Sequence, residues 1–249
     1  MDIIISEGAG VRYLHFGSNW IQGAMRIARP AALELEYTRE MMTGLLLRPE
    51  PEWPRQALAI GLGAGSVVKF LRRYRPGCRI TAVEIEPRVV AAARQHFKLP
   101  EEDQCLSIVV GDGADFVARA RRWFDLILVD GYDANASTGR LNTLPFLLDC
   151  RSLLSERGLL VSNLLSRRKD FGEALASLRQ GFEGRVLALP PCDAGNVVAL
   201  ATAGQGIDQR LADLRAIARQ LKRDTGLNLL PTLARLEASP SCPGGRLAL

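Results

Sequence analysis

A glycine-rich turn between an apolar strand and a helix is the feature that most constrains how this chain folds. Residues 57–66 read Ala-Leu-Ala-Ile-Gly-Leu-Gly-Ala-Gly-Ser, and the apolar run 57–62 is typical of a strand buried on both faces. Gly61, Gly63 and Gly65 permit a tight turn and let a ligand lie against bare backbone near a helix N-terminus. Glycines in such turns also serve packing alone, so a ligand site needs a second signal.

That signal comes from the next predicted strand, 79–85. It ends in Glu84 and Ile85 and is followed by Glu86. An acidic residue about 20 positions beyond the glycine turn is placed to accept hydrogen bonds from ribose hydroxyls. The alternative is a solvated carboxylate at a strand end, which fits Glu86. We assign the ribose role to Glu84, and the sequence therefore predicts a nucleoside site.

The rest of the chain alternates between strand and helix patterns. Strands are predicted at 57–62, 79–85, 105–110, 125–130, 157–164, 185–190 and 196–202, and helices at 66–74, 87–97, 113–121, 143–155 and 170–182. This alternation predicts a mainly parallel sheet covered on both faces. The last connection is too short for a helical crossover, so the last two strands should be antiparallel. The fold class is therefore α/β, with a Rossmann-like, seven-stranded, methyltransferase-type sheet.

Smaller elements are predicted towards the two ends of the chain. Residues 1–29 read as a small N-terminal β element, and 30–249 as a Rossmann-like nucleoside-binding catalytic domain. Pro30 should open a helix that runs to about Leu47. We expect a further helix at 207–222 and a loose end from Ser239.

Composition narrows the expected partners and location. The net charge of +5 comes from basic residues spread along the chain with few interleaved aromatics, so we expect no nucleic-acid partner. No apolar run is long enough for a membrane span, and no signal peptide is apparent. Five scattered cysteines without a Cys-x-x-Cys pair indicate reduced thiols and a cytoplasmic protein. Two distant histidines argue against a metal site.

Further carboxylates follow the third and fourth predicted strands, where ligands of open α/β sheets bind. Asp112 stands between Gly111 and Gly113, which leave room for a flat ring, and it could accept from an adenine amino group. Asp130 and Asp133 form an Asp-x-x-Asp pair. An Asp after a strand can simply cap a turn, but two beside a nucleoside site favour chemistry. One can accept a proton from an amine while the other holds an ammonium group.

These motifs together resemble the spermidine synthase (polyamine aminopropyltransferase) family. The resemblance is carried by Gly61-Leu-Gly-Ala-Gly-Ser66, Val83-Glu-Ile-Glu86, Gly111-Asp-Gly113 and Asp130-Gly-Tyr-Asp-Ala134. It implies that Glu84 and Ile85 contact the ribose side and that Asp112, Gly113 and Ala114 contact the adenine. It further implies that Asp130 is the general base, assisted by Asp133, and that Gln22 lies near the tail of the donor.

The departures from the family pattern fall on the acceptor side. The acidic residue of the family's glycine loop is Ala64 here, and a Tyr that lines the amine pocket is replaced by Cys192. Tyr132 can partly refill that space, and Tyr37 is expected to line it as well. We therefore do not expect an ordinary putrescine site.

The leading hypothesis is transfer of an aminopropyl group from decarboxylated S-adenosylmethionine to a small-molecule amine, without a metal. One alternative is an S-adenosylmethionine-dependent methyltransferase of a small molecule, which Ala64 favours because an acidic loop would repel the intact cofactor's carboxylate. The other is a nucleoside-binding protein without turnover, against which Asp130 and Asp133 argue. A homodimer is left open.

Overall fold

A three-stranded antiparallel sheet opens the computed structural model, which describes residues 2–17, 20–133 and 136–249. Its strands are β1 (Ile3–Gly8), β2 (Val11–Phe16) and β3 (Ile21–Arg26), in that spatial order. Apolar side chains of this sheet, Met25 among them, pack onto Ala64 of the glycine turn and onto Phe97. The predicted N-terminal β element is therefore present and covers the glycine turn. A division into two domains at residue 29 stays a prediction.

The remaining elements build a seven-stranded main sheet with helices on both faces and a separate two-stranded sheet formed by the last two strands of the chain. In chain order they are α1 (Glu36–Glu40), α2 (Gly44–Leu47), β4 (Gln56–Ile60), α3 (Ser66–Tyr74), β5 (Arg79–Glu84), α4 (Pro87–His96), β6 (Leu106–Val110), α5 (Gly113–Arg119), β7 (Phe124–Val129), α6 (Leu144–Ser152), β8 (Leu154–Leu165), α7 (Phe171–Gly181), β9 (Val186–Ala188), β10 (Asn196–Thr202), β11 (Asp208–Arg210), α8 (Leu211–Thr225), α9 (Leu230–Glu237) and β12 (Arg246–Ala248). Short 3-10 turns lie at 41–43, 139–142 and 243–245. Among the described helices, none combines the length and apolar composition that a membrane span requires.

The order of the seven strands in the main sheet is β6-β5-β4-β7-β8-β10-β9. Neighbours from β6 to β8 are parallel, whereas β10 runs antiparallel to both β8 and β9. This confirms the predicted methyltransferase-type sheet with an antiparallel end. The strand order reverses between β4 and β7, and a reversal of this kind opens a crevice at the carboxyl ends of the strands.

Strand β4 shows why the apolar run of the sequence becomes a central strand. Ala57 and Ala59 face one core, and Leu58 and Ile60 face the other. Successive side chains of a strand point to opposite faces, so a strand covered on both sides needs an unbroken apolar run. The end of this strand therefore places the glycine turn at the crevice.

Two predictions near the ends of the main unit are wrong. The helix expected from Pro30 begins only at Glu36, because turns occupy residues 27–35 and Glu34 forms an ion pair with Arg26. The segment from Ser239 is not loose, since β12 pairs with β11 and Leu247 is fully buried. Helix α9, which the sequence analysis does not predict, precedes that segment.

Helix α9 is tied to α1 by charged groups at the edge of the core. Arg235 donates to Glu36 at 2.7 Å and to Glu40, which is 0% exposed and also accepts from Thr232 at 3.0 Å. Burial raises the pKa of Glu40, and Arg235 opposes that shift. Because α1 carries Tyr37, the C-terminal part of the chain helps to fix a predicted site residue.

Replacement of this cation should cost stability. Arg235→Leu leaves Glu40 buried without its charged partner and is expected to lower the free energy of unfolding by about 3 kcal/mol. Arg215→Leu is the matched control, because Arg215 pairs with Glu237 at the surface, and it should cost less than about 1 kcal/mol. Urea denaturation at neutral pH measures both, and equal losses would contradict a buried, structural ion pair.

Candidate active site

One cavity of about 980 Å3 lies at the carboxyl ends of the central strands, bounded on one side by β3. Thirteen of the predicted site residues line it, namely Gln22, Tyr37, Gly61, Gly63, Ala64, Glu84, Ile85, Asp112, Gly113, Asp130, Tyr132, Asp133 and Cys192. Gly65 and Ala114 do not. Gly65 precedes α3, and a side chain there would meet Leu99. Ala114 lies in α5 and is buried in the core.

Across the described ranges, no group of three His, Cys, Asp or Glu side chains could hold a metal.

The glycine turn meets the end of β7 at the bottom of this cavity. Gly61 has a φ of 88°, and a Cβ built on it would lie 2.1 Å from the backbone oxygen of Asp130. The N–H of Asp130 donates to the carbonyl of Ile60 at 2.8 Å. Only glycine fits a left-handed position in such close contact. This contact holds the glycine turn and Asp130 at fixed positions relative to each other.

Glu84 lies at the end of β5, and its carboxylate points towards the glycine turn. Its Oε2 accepts from the N–H of Leu62 at 2.9 Å, and its Oε1 accepts from the N–H of Glu86 at 3.0 Å. The residue is 8% exposed, and burial raises the pKa of Glu84 while the backbone hydrogen bonds partly oppose that shift. The N–H groups of Gly63 and Ile85 also act on this carboxylate, so hydroxyl donors from the cavity would share its lone pairs with the backbone.

The two neighbours of Glu84 behave differently from it. Ile85 is 66% exposed on the cavity wall, which offers an apolar surface to a ligand. Glu86 caps α4 by accepting from the N–H of Arg88 at 3.1 Å, and its side chain pairs with the Arg88 guanidinium. Glu86 therefore has a structural role at a helix start, and it does not line the cavity.

Asp112 is both a helix cap and a member of the cavity wall. It accepts from the N–H groups of Ala114 at 2.7 Å and Asp115 at 3.2 Å, and Arg140 approaches it at 3.0 Å. Burial acts to raise the pKa of Asp112, but the hydrogen bonds from Arg140 and the backbone outweigh it, so the pKa is lowered. Gly113 packs against Ile60, whereas Gly111 borders open space.

Asp130, directly after β7, is a half-buried carboxylate of the cavity. Its Oδ1 accepts from Asn163 Nδ2 at 2.8 Å, and the nearby Tyr37 hydroxyl acts to lower its pKa. Burial raises the pKa of Asp130, and these two donors oppose the rise. Burial likewise raises the pKa of Tyr37 well above its usual value, so its hydroxyl stays neutral.

Asp133, the second aspartate of the Asp-x-x-Asp pair, lies in a more open position than Asp130. Asp133 is exposed, and its Oδ1 accepts from the N–H of Ser137 at 2.8 Å. Tyr132, between the two aspartates, donates to the backbone oxygen of Asn163 at 2.8 Å. Ala134, the last residue of the quoted motif, lies outside the described residues. The role of Asp133 towards a substrate stays a prediction.

Sequence reasoning missed several polar residues of the cavity. These are Glu36, Arg140, Asn163, Arg167 and Asn196. A signal existed for Asn163, because an amide inside the apolar run Leu159–Leu165 requires a buried partner. Glu36 comes from a helix, Arg140 and Arg167 come from turns, and Asn196 is the first residue of β10. At such positions one sequence does not reveal which side faces the cavity.

Comparisons with known proteins show the family of this chain and the relatives that share its fold. Residues 35–184 match the family described as spermine/spermidine synthase domain, a range that contains all the predicted site residues except Gln22 and Cys192. A polyamine aminopropyltransferase of Neisseria meningitidis serogroup A is 38% identical over 96% of this chain and 90% of its own length. Among solved structures, a probable spermidine synthase from Corynebacterium glutamicum has a TM-score of 0.74 at 20% identity, covering 88% of this chain and 83% of that one. Human methyltransferase-like protein 13 in complex with SAH has a TM-score of 0.69 at 24% identity, covering 77% and 93%. These two structures support the methyltransferase-type fold.

The assignment of Glu84 to ribose can be tested by binding alone. Glu84→Gln removes the charge from a group expected to accept from ribose hydroxyls, so methylthioadenosine should bind about 10- to 100-fold more weakly. Glu86→Gln keeps an oxygen for the helix cap and should bind normally. Calorimetry measures both, and unchanged affinity in a folded Glu84→Gln variant would remove the assignment.

Proposed function

The chain belongs to the spermine/spermidine synthase family, and we propose that it transfers an aminopropyl group from decarboxylated S-adenosylmethionine to a small amine. The observation that carries this proposal is the presence in one cavity of two carboxylates, Glu84 and Asp130, whose pKa values are raised by their surroundings. The first suits a nucleoside and the second suits an amine that must lose a proton. No cation pairs with Asp130 among the described residues.

The donor would lie along the half of the cavity formed by β4, β5 and α5. Glu84 would accept from the ribose hydroxyls, and Ile85 would cover one side of the nucleoside. Asp112, placed by its cap bonds to α5, would face the adenine. The glycine turn would leave room for the sulfonium group, and Gln22 of β3 would lie near the aminopropyl tail. The chain of contacts from Glu84 through Leu62 to Gly61 links this half to Asp130.

The reaction needs one nucleophile, one leaving group and one base. The nitrogen of the acceptor attacks the aminopropyl carbon beside the sulfonium, an N–C bond forms, and the C–S bond breaks with its electron pair going to sulfur. Methylthioadenosine leaves, and the proton lost by the nitrogen passes to Asp130. The sulfonium is already an activated leaving group, so positioning supplies much of the rate. The Tyr37 hydroxyl steadies the Asp130 carboxylate throughout.

For the acceptor we propose a molecule other than ordinary putrescine. Ala64, in place of an acidic residue, is 2% exposed and packs into the cluster under the N-terminal sheet, so it offers no charge to a diamine. Cys192 provides no aromatic wall. Arg167 lines the same end of the cavity beside Gly195, and no carboxylate among the described residues pairs with it. A cation there repels the far ammonium group of a diamine.

The role of the base is tested by removal of its charge. Asp130→Asn keeps the size of the side chain but cannot take a proton, so kcat should fall about 10²- to 10⁴-fold. Methylthioadenosine affinity should be unchanged, because Glu84 is intact. In the wild type, the rate should fall as pH decreases through the raised pKa of Asp130. Asp149→Asn, on the exposed face of α6, is the control. Normal turnover by Asp130→Asn would exclude it as the base.

The acceptor is tested by turnover of decarboxylated donor with a panel of amines. Putrescine should have a kcat/KM at least about tenfold below the best amine, the scale of one lost charged hydrogen bond. Arg167→Glu should raise the value for putrescine, whereas Arg179→Glu, outside the cavity on α7, makes the same charge change and should not. If putrescine is already the best acceptor and Arg167→Glu changes nothing, this account of the pocket is wrong.

Methyl transfer from S-adenosylmethionine, with no amine used as aminopropyl acceptor, would establish the methyltransferase alternative.

A further inference from the structure

The Asp130 carboxylate lies at one end of a chain of side-chain amides that the proposed reaction leaves unused. Asn163 Nδ2 donates to Asp130 Oδ1 at 2.8 Å, and Asn196 Nδ2 donates to Asn163 Oδ1 at 2.9 Å. Beyond Asn196, the Cys192 sulfur lies 3.9 Å from Asn196 Oδ1. Asn163 is 4% exposed and Asn196 is 7% exposed, so water has little access to these amides.

The direction of this chain follows from the chemistry of its members. An ionised carboxylate only accepts hydrogen bonds, so Asn163 must present its NH2 group to Asp130. Its oxygen then faces Asn196, which must in turn present its own NH2 group. The oxygen of Asn196 faces the Cys192 thiol, which can donate weakly. Rotation of either amide by half a turn would set two acceptors against each other, so each amide has one satisfied orientation.

The backbone holds both amides in place. Asn163 lies in β8 opposite Val198 of β10, and its carbonyl accepts from the Tyr132 hydroxyl at 2.8 Å. Asn196 begins β10, and its carbonyl accepts from the N–H of Cys192 at 2.9 Å. The antiparallel pair at the end of the sheet therefore presents two ordered donors, in series, to the carboxylate.

We propose that Asn163 and Asn196 are positioning residues of this site: Asn163 holds the Asp130 carboxylate in the orientation in which it takes the acceptor's proton, and Asn196 holds Asn163. The link to catalysis rests on the proposed aminopropyl transfer. The link between the amides and the carboxylate does not, because it is a property of the protein alone.

Among the groups around Asp130, the Asn163 amide is a main influence on whether the Asp130 carboxyl is ionised. Tyr37 from α1, Tyr132 from the loop after β7 and Cys192 from the loop before β10 are the titratable neighbours, and burial raises the pKa of all three, so they stay neutral. The charged groups farther out act on those neighbours and have charged partners of their own: Glu36 with Arg235, Glu40 with Arg235, and Arg168 with Asp170. Loss of the Asn163 donor should therefore raise the pKa of Asp130.

The test compares Asn163→Leu and Asn196→Leu, which keep a similar side-chain size but cannot hydrogen-bond. Ser162→Ala is the control, because Ser162 is the next buried residue of β8 and points to the opposite face. The pKa of Asp130 is read from its carboxyl carbon resonance in protein labelled at aspartate, assigned with Asp130→Asn. It should rise by about one unit in Asn163→Leu, less in Asn196→Leu and not in Ser162→Ala. Thermal unfolding shows that each variant is folded.

Turnover provides the second readout. In Asn163→Leu, kcat should fall about 10- to 100-fold with an unchanged KM for the donor, and the acid limb of the pH profile should move to higher pH. Asn196→Leu should show a smaller change in the same direction. The double variant should be no worse than Asn163→Leu, because Asn196 acts through Asn163.

The outcomes separate this inference from the proposed function. If the titration of Asp130 is unshifted in both leucine variants, or shifts equally in Ser162→Ala, the positioning role is overturned whatever the turnover shows. A shifted titration in a protein whose wild type transfers no aminopropyl group would leave the positioning role standing and remove the proposed function. If Asn163→Leu does not fold, Asn196→Leu decides the question, because it retains Asn163 and its contact with Asp130.

Discussion

The contact between Gly61 and the backbone of Asp130 is the constraint on which the rest of the site depends. A side chain at residue 61 would lie 2.1 Å from the Asp130 oxygen, so the two strand ends can meet only at a glycine. Their meeting places the glycine turn, which faces the nucleoside half, against the residue that faces the acceptor half. Both proposed halves of the reaction are therefore fixed to one point of the sheet, where the strand order reverses.

The carboxylates of Glu84 and Asp130 are stabilised without ion pairs of their own among the described residues. Glu84 is held by backbone N–H groups, and Asp130 by an amide and a phenol. Hydrogen bonds of this kind offset part of the cost of burial while leaving the negative charge uncancelled. Such carboxylates attract a sulfonium or an amine, since neither carboxylate has a cation of the described part of the protein as its ion-pair partner. Asp112 differs, because Arg140 pairs with it at the rim.

The sequence allowed the prediction of those features that depend on short segments. Strand β4, the glycine turn and Glu84 lie within one βαβ unit, so a single window contains the strand pattern, the turn and the acidic residue. The start of α1 was predicted wrongly, because the turns before it include a contact between Arg26 of β3 and Glu34 that the helical pattern does not reveal. The order at the C-terminal end depends on pairing between β11 and β12, which lie far apart in sequence. Asn196 was missed for a similar reason, since its partner Asn163 lies on another strand.

This difference between local and distant contacts explains why the acceptor is harder to infer than the donor. The nucleoside half is built by neighbouring segments whose motif is shared by methyltransferase-type folds, so the motif alone does not distinguish the two kinds of transfer. The proposed acceptor half is lined by Tyr37, Tyr132, Arg167 and Cys192, which come from four separate segments. A single substitution in any of them changes charge or shape at that end without disturbing the sheet. Substitutions at these four positions could therefore change which amine fits the proposed acceptor half while Asp130 and the strands that hold it keep their positions.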